Sequence, residues 1–320
     1  MPAISASAPG KIILFGEHAV VYGHPAIAVP LTQVRAKAII RANPRGKRGE
    51  IRIEAPNIDL EASFDQLLAE DPLRAAIQGV LEALEIPRPP ALTLRVTSTI
   101  PVAAGLGSSA AISVAIIRAL SNFLGQPLAD EEVSELAYQV EKIHHGTPSG
   151  IDNTVTTYAK PVFFRRGPGG EQDAQIETFR VAKPFTIVIG DTGVRSATAV
   201  TVSNVGRARQ GDPMRFAVIF DAVEKIVNAA REGIESGHTE ALGPLMDENH
   251  QLLREMGVSS RELNRLVKAA RAAGALGAKL SGGGGGGNMI ALTSDETAEE
   301  VAQALVVAGA RGTIVATVEG

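Results

Sequence analysis

A glycine-rich loop that leads directly into an apolar helix is the feature that most constrains how this chain folds. Residues 101–111 read PVAAGLGSSAA, and apolar residues at helical spacing follow to about position 124. Gly105 and Gly107 permit turns closed to residues with a Cβ, and the first N–H groups of the helix then point unpaired toward the loop. This cradle suits an anion, phosphate above all. Ser108 or Ser109 would serve equally well as an ordinary helix cap, so the segment alone leaves both interpretations open.

Composition limits the classes of protein to which the chain can belong. It has 320 residues, enough for two domains, with 45% apolar and 21% charged residues. The net charge of −4 carries no long block of one sign, so we expect no nucleic-acid partner and no membrane partner, and a small-molecule substrate. There is no cysteine, which excludes disulfides and thiolate chemistry. The apolar run at 12–15 is too short for a signal peptide, and no run reaches spanning length, so we expect a cytoplasmic protein.

The order of strand-like and helical patterns predicts an α+β fold. Helices and strands are mixed without a regular strand–helix repeat, which disfavours a doubly wound sheet. Strands are expected at 11–15, 26–29, 34–41, 51–54, 91–96, 185–189, 289–292 and 313–317, and helices at 108–124, 131–145, 214–235, 239–256 and 260–273. We place the domain boundary just before the strand at 185–189, giving domains 1–182 and 183–320.

A second segment, residues 8–23, places polar side chains at both ends of an apolar strand. It reads APGKIILFGEHAVVYG, with Lys11 at the start of the strand and Glu17 and His18 at its far end. Either end has an ordinary explanation, since a lysine can be a solvated edge charge and a Glu-His pair a simple turn. A rigid strand would nevertheless fix the positions of both groups, as a functional site requires.

A third segment, residues 141–153, reads EKIHHGTPSGIDN and supplies two carboxylates. Glu141 falls at the edge of an apolar helical stripe, where it would be half buried, and Asp152 follows from a turn. Glu141 with the Ser109 hydroxyl would suit Mg²⁺, leaving Asp152 as a base toward a substrate hydroxyl. Glu141 could instead pair with Lys142 or a distant arginine, and Asp152 could cap its turn. The two adjacent histidines are expected to pack within the turn rather than to bind a metal.

A fourth segment, residues 279–288, reads KLSGGGGGGN. Ordering six consecutive glycines costs backbone entropy and adds no side-chain packing, so the main chain must approach something closely. The run matches G-x-G-x-x-G by coincidence, but that dinucleotide fingerprint needs a strand before it and a helix after it. We expect the reverse here, a helix before and the strand 289–292 after, so the dinucleotide interpretation fails.

Together these four segments, spanning residues 8–288, resemble the GHMP small-molecule kinase superfamily and most closely its mevalonate kinase branch. The resemblance implies a two-domain GHMP kinase fold, with an N-terminal domain like ribosomal protein S5 domain 2 and a ferredoxin-like C-terminal domain. It implies ATP-dependent phosphorylation of mevalonate to 5-phosphomevalonate, with Mg²⁺, in the isoprenoid pathway. A homodimer is the family-level expectation.

The resemblance also implies a role for each matched residue. Asp152 would be base or electrostatic partner for the substrate hydroxyl with Lys11 beside it, and Ser109 and Glu141 would hold magnesium. The residues implied along the ATP phosphates are Ala104, Gly105, Leu106, Gly107, Ser108, Ser109 and Ala110, and those implied along mevalonate are Lys11, Glu17, His18, Asp152, Thr198 and Gly283. The chain departs from the family at two positions, with Gly283 where alanine is usual and Asn288 where cysteine is frequent.

Two alternatives remain open at this point. The chain could be another kinase of the same pathway, acting on phosphomevalonate or on the 3-hydroxyl of mevalonate. A phosphorylated substrate would call for an extra Lys/Arg cluster, and none adjoins the matched motifs. The chain could also be a non-catalytic relative that senses the ligands, which would be marked by loss of the base or the metal carboxylate; both are present.

Overall fold

The structure is a computed structural model that describes residues 3–101, 105–145, 148–167, 170–195 and 198–319. The chain divides into two compact units, the first made of residues 1–10, 34–102 and 106–159 and the second of residues 11–33, 103–105 and 160–320. Strands β1 (Ile4–Phe15) and β2 (Pro25–Ala42) each contribute to both units. The predicted domain boundary after residue 182 stays a prediction.

The first unit contains one end of a sheet. Besides β2, this part of the sheet contains β3 (Ile51–Ala55), β4 (Leu60–Ser63) and β5 (Leu92–Ser98). These strands lie in the order β4-β3-β5-β2, with β3 and β5 parallel and the other neighbours antiparallel. Buried and exposed residues alternate along β3, as expected for a strand with one face against a core and the other toward solvent.

Strand β2 is longer than the two separate strands expected at 26–29 and 34–41. In the first unit residues 36–42 pair with β5, and in the second unit residues 25–28 pair with β6. Pro30 falls between these two paired stretches, where its missing N–H interrupts neither ladder. One strand therefore continues through a proline that normally suggests a break.

Among the described residues, four α-helices complete the first unit. They are α1 (Pro72–Ala83), α2 (Ser108–Phe123), α3 (Asp130–His145) and α4 (Ile151–Tyr158). Helix α1 begins where the Asp71 side chain accepts a hydrogen bond from Leu73 N at 2.8 Å. Helix α2 packs against the other three and buries alanine, valine and isoleucine around most of its circumference. Helix α2, which is apolar around most of its surface, is thus contacted by other helices on several sides.

The second unit contains β6 (Val162–Gly167), which pairs with β2 and with β7 (Gly170–Thr178), and a separate antiparallel sheet. The strands of that sheet lie in the order β11-β8-β10-β9. They are β8 (Phe185–Asp191), β9 (Gly277–Ser281), β10 (Asn288–Thr293) and β11 (Gly312–Val318). Strands β9 and β10 are buried along their whole lengths.

The helices of the second unit are α5 (Thr198–Gly211), α6 (Pro213–Ser236), α7 (Leu242–Glu255), α8 (Arg261–Ala272) and α9 (Ala298–Val307). Helices α7, α8 and α9 pack on the strands of the antiparallel sheet. Side-chain caps start two of these helices, since Asp212 accepts from Arg215 N and Ser260 accepts from Leu263 N. Within the described ranges, no helix combines the length and apolar character needed to cross a membrane.

The α+β expectation is confirmed, whereas the element before the glycine run and the setting of Asp152 differ from what was expected. The glycine run at 282–287 is preceded by strand β9, not by a helix, so it connects two antiparallel strands. The dinucleotide interpretation still fails, because no helix follows the glycines directly. Asp152 lies in the first turn of helix α4 rather than in a turn between elements.

Candidate active site

The glycine loop leads into helix α2, which starts at a glycine N-cap. Gly105 and Gly107 have φ of +72° and +70°, the left-handed region that favours glycine. Gly107 is the N-cap and makes no side-chain capping hydrogen bond. Of the two interpretations left open by the sequence, a serine N-cap is therefore not the one observed, and a helix that starts without a side-chain cap suits an anion at its first N–H groups.

Close packing holds this loop against the first strand. A Cβ built on Gly10 would lie 3.1 Å from the Leu106 carbonyl oxygen and 3.2 Å from a methyl of Val34. Leu106 itself is buried, with 2% of its surface exposed. The glycine of the N-terminal motif thus makes room for the main chain of the phosphate loop. Ala104, at the start of the predicted phosphate contacts, lies outside the described residues.

The Ser109 hydroxyl is a buried polar group without a hydrogen-bond partner in the described part of the chain. Its Oγ has no hydrogen-bond partner among the described residues, although its carbonyl accepts from Ser113 Oγ at 3.1 Å. Native structures seldom leave a buried polar group without a partner, and each such case calls for an explanation. A ligand at the helix N-terminus would provide one.

Glu141 lies at the same end of a helix pair as Ser109. Helices α2 and α3 have 16 residues each, pack together, and are joined by the short segment 124–129, so they run antiparallel. The first turn of α2 is therefore beside the last turns of α3. Glu141 is only 3% exposed, more buried than the half-buried position predicted from its place on the stripe.

A hydroxyl and a carboxylate beside a phosphate cradle fit a magnesium ion. Mg²⁺ prefers oxygen ligands, and it is usually held by one or two carboxylates together with substrate phosphates. The Ser109 Oγ, which has no partner among the described residues, is the observation that favours this interpretation. Glu141 would supply the carboxylate from the neighbouring helix.

Asp152 stands in the first turn of α4, which packs against both α2 and α3. Its side chain is partly exposed, and its carbonyl accepts from Thr156 Oγ1 at 2.8 Å. Gly150 caps the helix with φ +82°, so the chain turns sharply just before the aspartate. The structure therefore places Ser109, Glu141 and Asp152 on three mutually packed helices. The side chains of His144 and His145 lie outside the described residues.

In the second unit, the end of β1 is attached to the glycine-rich segment. Lys11, 8% exposed, opens this part of the strand, and Glu17 and His18 follow its end at 3% and 5% exposed. Ser281 Oγ donates to the Ile13 carbonyl at 2.7 Å. The N-terminal and glycine-rich motifs, far apart in sequence, are neighbours in this unit.

Glu17 forms a buried ion pair with Lys279. The Lys279 ammonium donates to Glu17 Oε1 and to the Leu280 carbonyl oxygen, the latter at 2.7 Å. Burial raises the pKa of the Glu17 carboxyl, an effect that Lys279 and backbone N–H groups oppose. Burial lowers the pKa of Lys279, opposed by Glu17. Both shifts favour the neutral forms, so desolvation outweighs the attraction between the two charges.

His18 is strained, buried and hydrogen-bonded to the glycine-rich segment. Its φ of +61° is rare for a residue with a side chain and costs roughly 1–3 kcal/mol. Its Nε2 lies 3.0 Å from the Gly283 carbonyl oxygen, and because a carbonyl only accepts, Nε2 carries the hydrogen. Burial lowers the pKa of His18, although this hydrogen bond opposes the shift. Nδ1 is then an acceptor, and it has no partner among the described residues.

Thr198 packs closely against Gly283. A Cβ built on Gly283 would lie 2.9 Å from both the Oγ1 and the Cγ2 of Thr198, at the exposed start of α5. Glycine at this position therefore lets Thr198 approach closely. His18, Gly283 and Thr198, all predicted along the substrate, are grouped together.

The sequence alone did not identify Lys279 and His250, which form hydrogen bonds to residues adjoining this group. His250 is buried; its Nδ1 accepts from Leu280 N at 3.3 Å and its Nε2 lies 3.2 Å from Asn264 Oδ1. Lys279 is the first residue of the glycine-rich segment, and the motif alone does not assign it a role. The signal that marks it is its position in a strand buried on both faces, where a lysine needs a charged partner.

Comparison with known proteins places this arrangement in a family. A family model described as GHMP kinases N terminal domain matches residues 73–160, and one described as GHMP kinases C terminal matches residues 230–310. The mevalonate kinase of Thermococcus gammatolerans is 40% identical over 325 residues, covering 96% of this chain and 93% of the relative. The chain belongs to the GHMP kinase family, in its mevalonate kinase branch. The predicted family and the expectation of a kinase that uses ATP are thereby confirmed.

Solved structures agree with this assignment. The L. major mevalonate kinase, in complex with R-mevalonate, is 33% identical with a TM-score of 0.86, covering 98% of this GHMP kinase and 95% of that chain. The Methanococcus jannaschii mevalonate kinase is 26% identical with a TM-score of 0.84, covering 100% and 99%. The two-domain GHMP fold expected from the four motifs is therefore confirmed, whereas the roles of individual residues stay predictions.

Proposed function

We propose that this protein transfers the γ-phosphoryl group of ATP to the 5-hydroxyl of mevalonate. The observation that carries the proposal is the 40% identity over 96% of the chain with a relative named mevalonate kinase. The four motif segments support it further, because each supplies a side chain or loop that phosphoryl transfer to an alcohol requires.

The phosphate loop and two side chains are proposed to hold the nucleotide's charged end. The left-handed glycines and the N–H groups from Gly105 to Ala110 would bind the phosphates, and Ala104 is proposed to contribute as well. Ser109 Oγ and the Glu141 carboxylate would hold Mg²⁺, which when bound neutralises phosphate charge. Phosphoryl transfer needs such positioning and charge neutralisation more than covalent chemistry.

Asp152 and Lys11 are proposed to act on the substrate hydroxyl. A carboxylate can orient the hydroxyl or accept its proton, and a lysine ammonium can offset the negative charge that develops on the hydroxyl oxygen. The rigid elements that carry them, helix α4 and strand β1, suit this task since neither is a long loop.

His18, Thr198 and Gly283 are proposed to bind mevalonate. The neutral His18 ring has a buried acceptor, Nδ1, that a substrate hydroxyl can satisfy. Thr198 adds a hydroxyl, and Gly283 keeps the backbone close to both. Glu17, predicted along the substrate as well, lies beside this group with its carboxylate paired to Lys279.

A substrate panel tests the proposal. ADP release, measured by a coupled assay with excess Mg²⁺-ATP, is expected to depend on mevalonate and to stay at background with phosphomevalonate or galactose. The background rate without acceptor serves as control. Turnover with phosphomevalonate and none with mevalonate would refute the proposal, as would ATP binding without any turnover, which describes a sensing protein.

A further inference from the structure

Two segments from opposite ends of the chain are joined at three points in the second unit. Ser281 Oγ donates to the carbonyl of Ile13, Lys279 donates to Glu17, and His18 Nε2 donates to the carbonyl of Gly283. Each contact connects residues more than 260 positions apart in sequence. We call these three contacts the motif bridge. They fix the end of β1 relative to the first glycines of the glycine-rich segment.

Lys279 is at the centre of the motif bridge and has no exposure to solvent. Its relative exposure is 0%, and its ammonium lies between the Glu17 carboxylate, the Leu280 carbonyl and the face of Phe15, 5.8 Å from the ring centroid. A lysine without exposed surface cannot contact a substrate that binds at the surface of this unit. Any influence it has on substrate binding must pass through the residues it holds.

The ion pair is a poor device for stability alone. Burial displaces the pKa of each partner toward its neutral form despite the attraction between them, as shown above. Buried ion pairs can often be replaced by apolar residues of similar volume without loss of stability, whereas removal of one partner leaves a costly unpaired charge. A geometric role explains better why a fully buried lysine stands immediately before the glycine-rich segment.

We infer that Lys279 is a positioning residue that acts through Glu17 to hold His18 against Gly283 for substrate binding. Glu17 immediately precedes His18, whose strained backbone and ring hydrogen bond to Gly283 make its position depend on its neighbours. Lys279 is separated from Gly283 only by Leu280, Ser281 and Gly282. Pairing of Glu17 with Lys279 therefore fixes both sides of the His18–Gly283 hydrogen bond. The inference rests on the proposed function.

Two variants and one control separate positioning from a loss of stability. Lys279→Met removes the contact between Lys279 and Glu17 and leaves the Glu17 carboxylate unpaired. Glu17→Leu/Lys279→Met replaces the whole pair by apolar side chains, which keeps the core free of an unpaired charge. Thr186→Val is the matched control, because it deletes another hydrogen bond of a buried side chain, Thr186 Oγ1 to Asp295 at 2.6 Å, away from the bridge.

Steady-state kinetics give the first readout. Lys279→Met and the double variant are each expected to raise KM for mevalonate about tenfold, which corresponds to about 1.4 kcal/mol, with KM for ATP changed less than about twofold. Thr186→Val should keep KM for mevalonate near that of the unsubstituted protein. An unchanged KM for mevalonate in the double variant overturns the inference. A KM for mevalonate raised in the double variant but not in Lys279→Met would also overturn it, because Glu17 would then bind the substrate itself.

Hydrogen exchange gives a readout that needs no substrate. The N–H groups of Gly285 and Gly287 donate to the carbonyls of Val258 and Val194 at 2.7 and 2.9 Å and should be protected. Exchange across residues 282–287 is expected to rise in the double variant and to stay unchanged in Thr186→Val. Equal protection in all proteins contradicts the inference. Absence of mevalonate turnover by the unsubstituted protein would refute the proposed function instead, and this exchange comparison would still decide the positioning role.

Discussion

The glycine-rich segment predicts a large difference between two alanine substitutions with the same backbone angle. Gly284 and Gly287 both have φ of +71°. A Cβ on Gly284 would overlap the Val258 carbonyl oxygen and lie 3.0 Å from its carbon, whereas a Cβ on Gly287 meets nothing within 4 Å. Gly284→Ala and Gly287→Ala therefore share the cost of a left-handed alanine, about 1–2 kcal/mol, and differ only in the overlap.

The size of that difference follows from the contact. Forcing atoms into a packed site costs roughly 1–3 kcal/mol. The Val258 carbonyl also accepts from Gly285 N at 2.7 Å, and displacing it weakens a hydrogen bond worth about 1 kcal/mol. Gly284→Ala should therefore lower the free energy of unfolding by about 2–4 kcal/mol more than Gly287→Ala does.

Urea denaturation followed by circular dichroism measures this difference, with the unsubstituted protein as reference and with equal m-values as the condition for comparing midpoints. The variants should also differ in thermal midpoint in the same direction. Equal stabilities for Gly284→Ala and Gly287→Ala would show that the glycines do not serve a close approach to Val258, and the reasoning from the six-glycine run would be refuted.

Three further predictions concern the site and its support. Asp152→Asn should lower kcat roughly 10²- to 10⁴-fold with ATP binding retained in a calorimetric titration; near-normal turnover would exclude it as base or orienting group. Ser109→Ala and Glu141→Gln should each need more Mg²⁺ for half-maximal rate, and an unchanged Mg²⁺ titration would make both structural. Burial, then the charges of Arg271 and Lys279, lowers the pKa of His250 to about 4 from 6.5, so the unfolded chain binds a proton that the native protein does not. The free energy of unfolding should fall as pH drops below 6.5. Between pH 7 and pH 5 it should fall by about 2 kcal/mol more than in the variant His250→Gln, whose side chain does not titrate. Parallel pH profiles of the two proteins in urea denaturation would contradict this.

Elements with a strong apolar period could be predicted from sequence closely. Helices expected at 108–124 and 131–145 are observed as Ser108–Phe123 and Asp130–His145. The apolar stripe of each helix indicates both where the helix begins and ends and which of its faces is buried. Helix α5 was missed because its residues are mostly small or polar, with only Thr201 and Val205 buried, so no stripe marks it. Its place is set by tertiary contacts that local sequence does not record.

The candidate site could likewise be predicted only in part from the sequence. The motifs identified the loop at 105–107 and the residues Glu141, His18 and Gly283, because glycine conformation and charged residues beside apolar runs leave a local signature. The pairing of Glu17 with Lys279 could not be predicted, since it joins positions 262 apart and no local pattern specifies a partner at that separation. Likewise, only the structure shows that Gly107 rather than a serine caps α2.

The chemical identity of the product tests the central claim most directly. After incubation of mevalonate with ATP and Mg²⁺, NMR of the purified product should show one new phosphate ester whose phosphorus couples to the C5 methylene protons. A phosphate on the C3 oxygen, which has no attached proton on its carbon, would lack that coupling. Such a product, or unmodified mevalonate beside hydrolysed ATP, would contradict the assignment of this chain as a kinase of the mevalonate 5-hydroxyl.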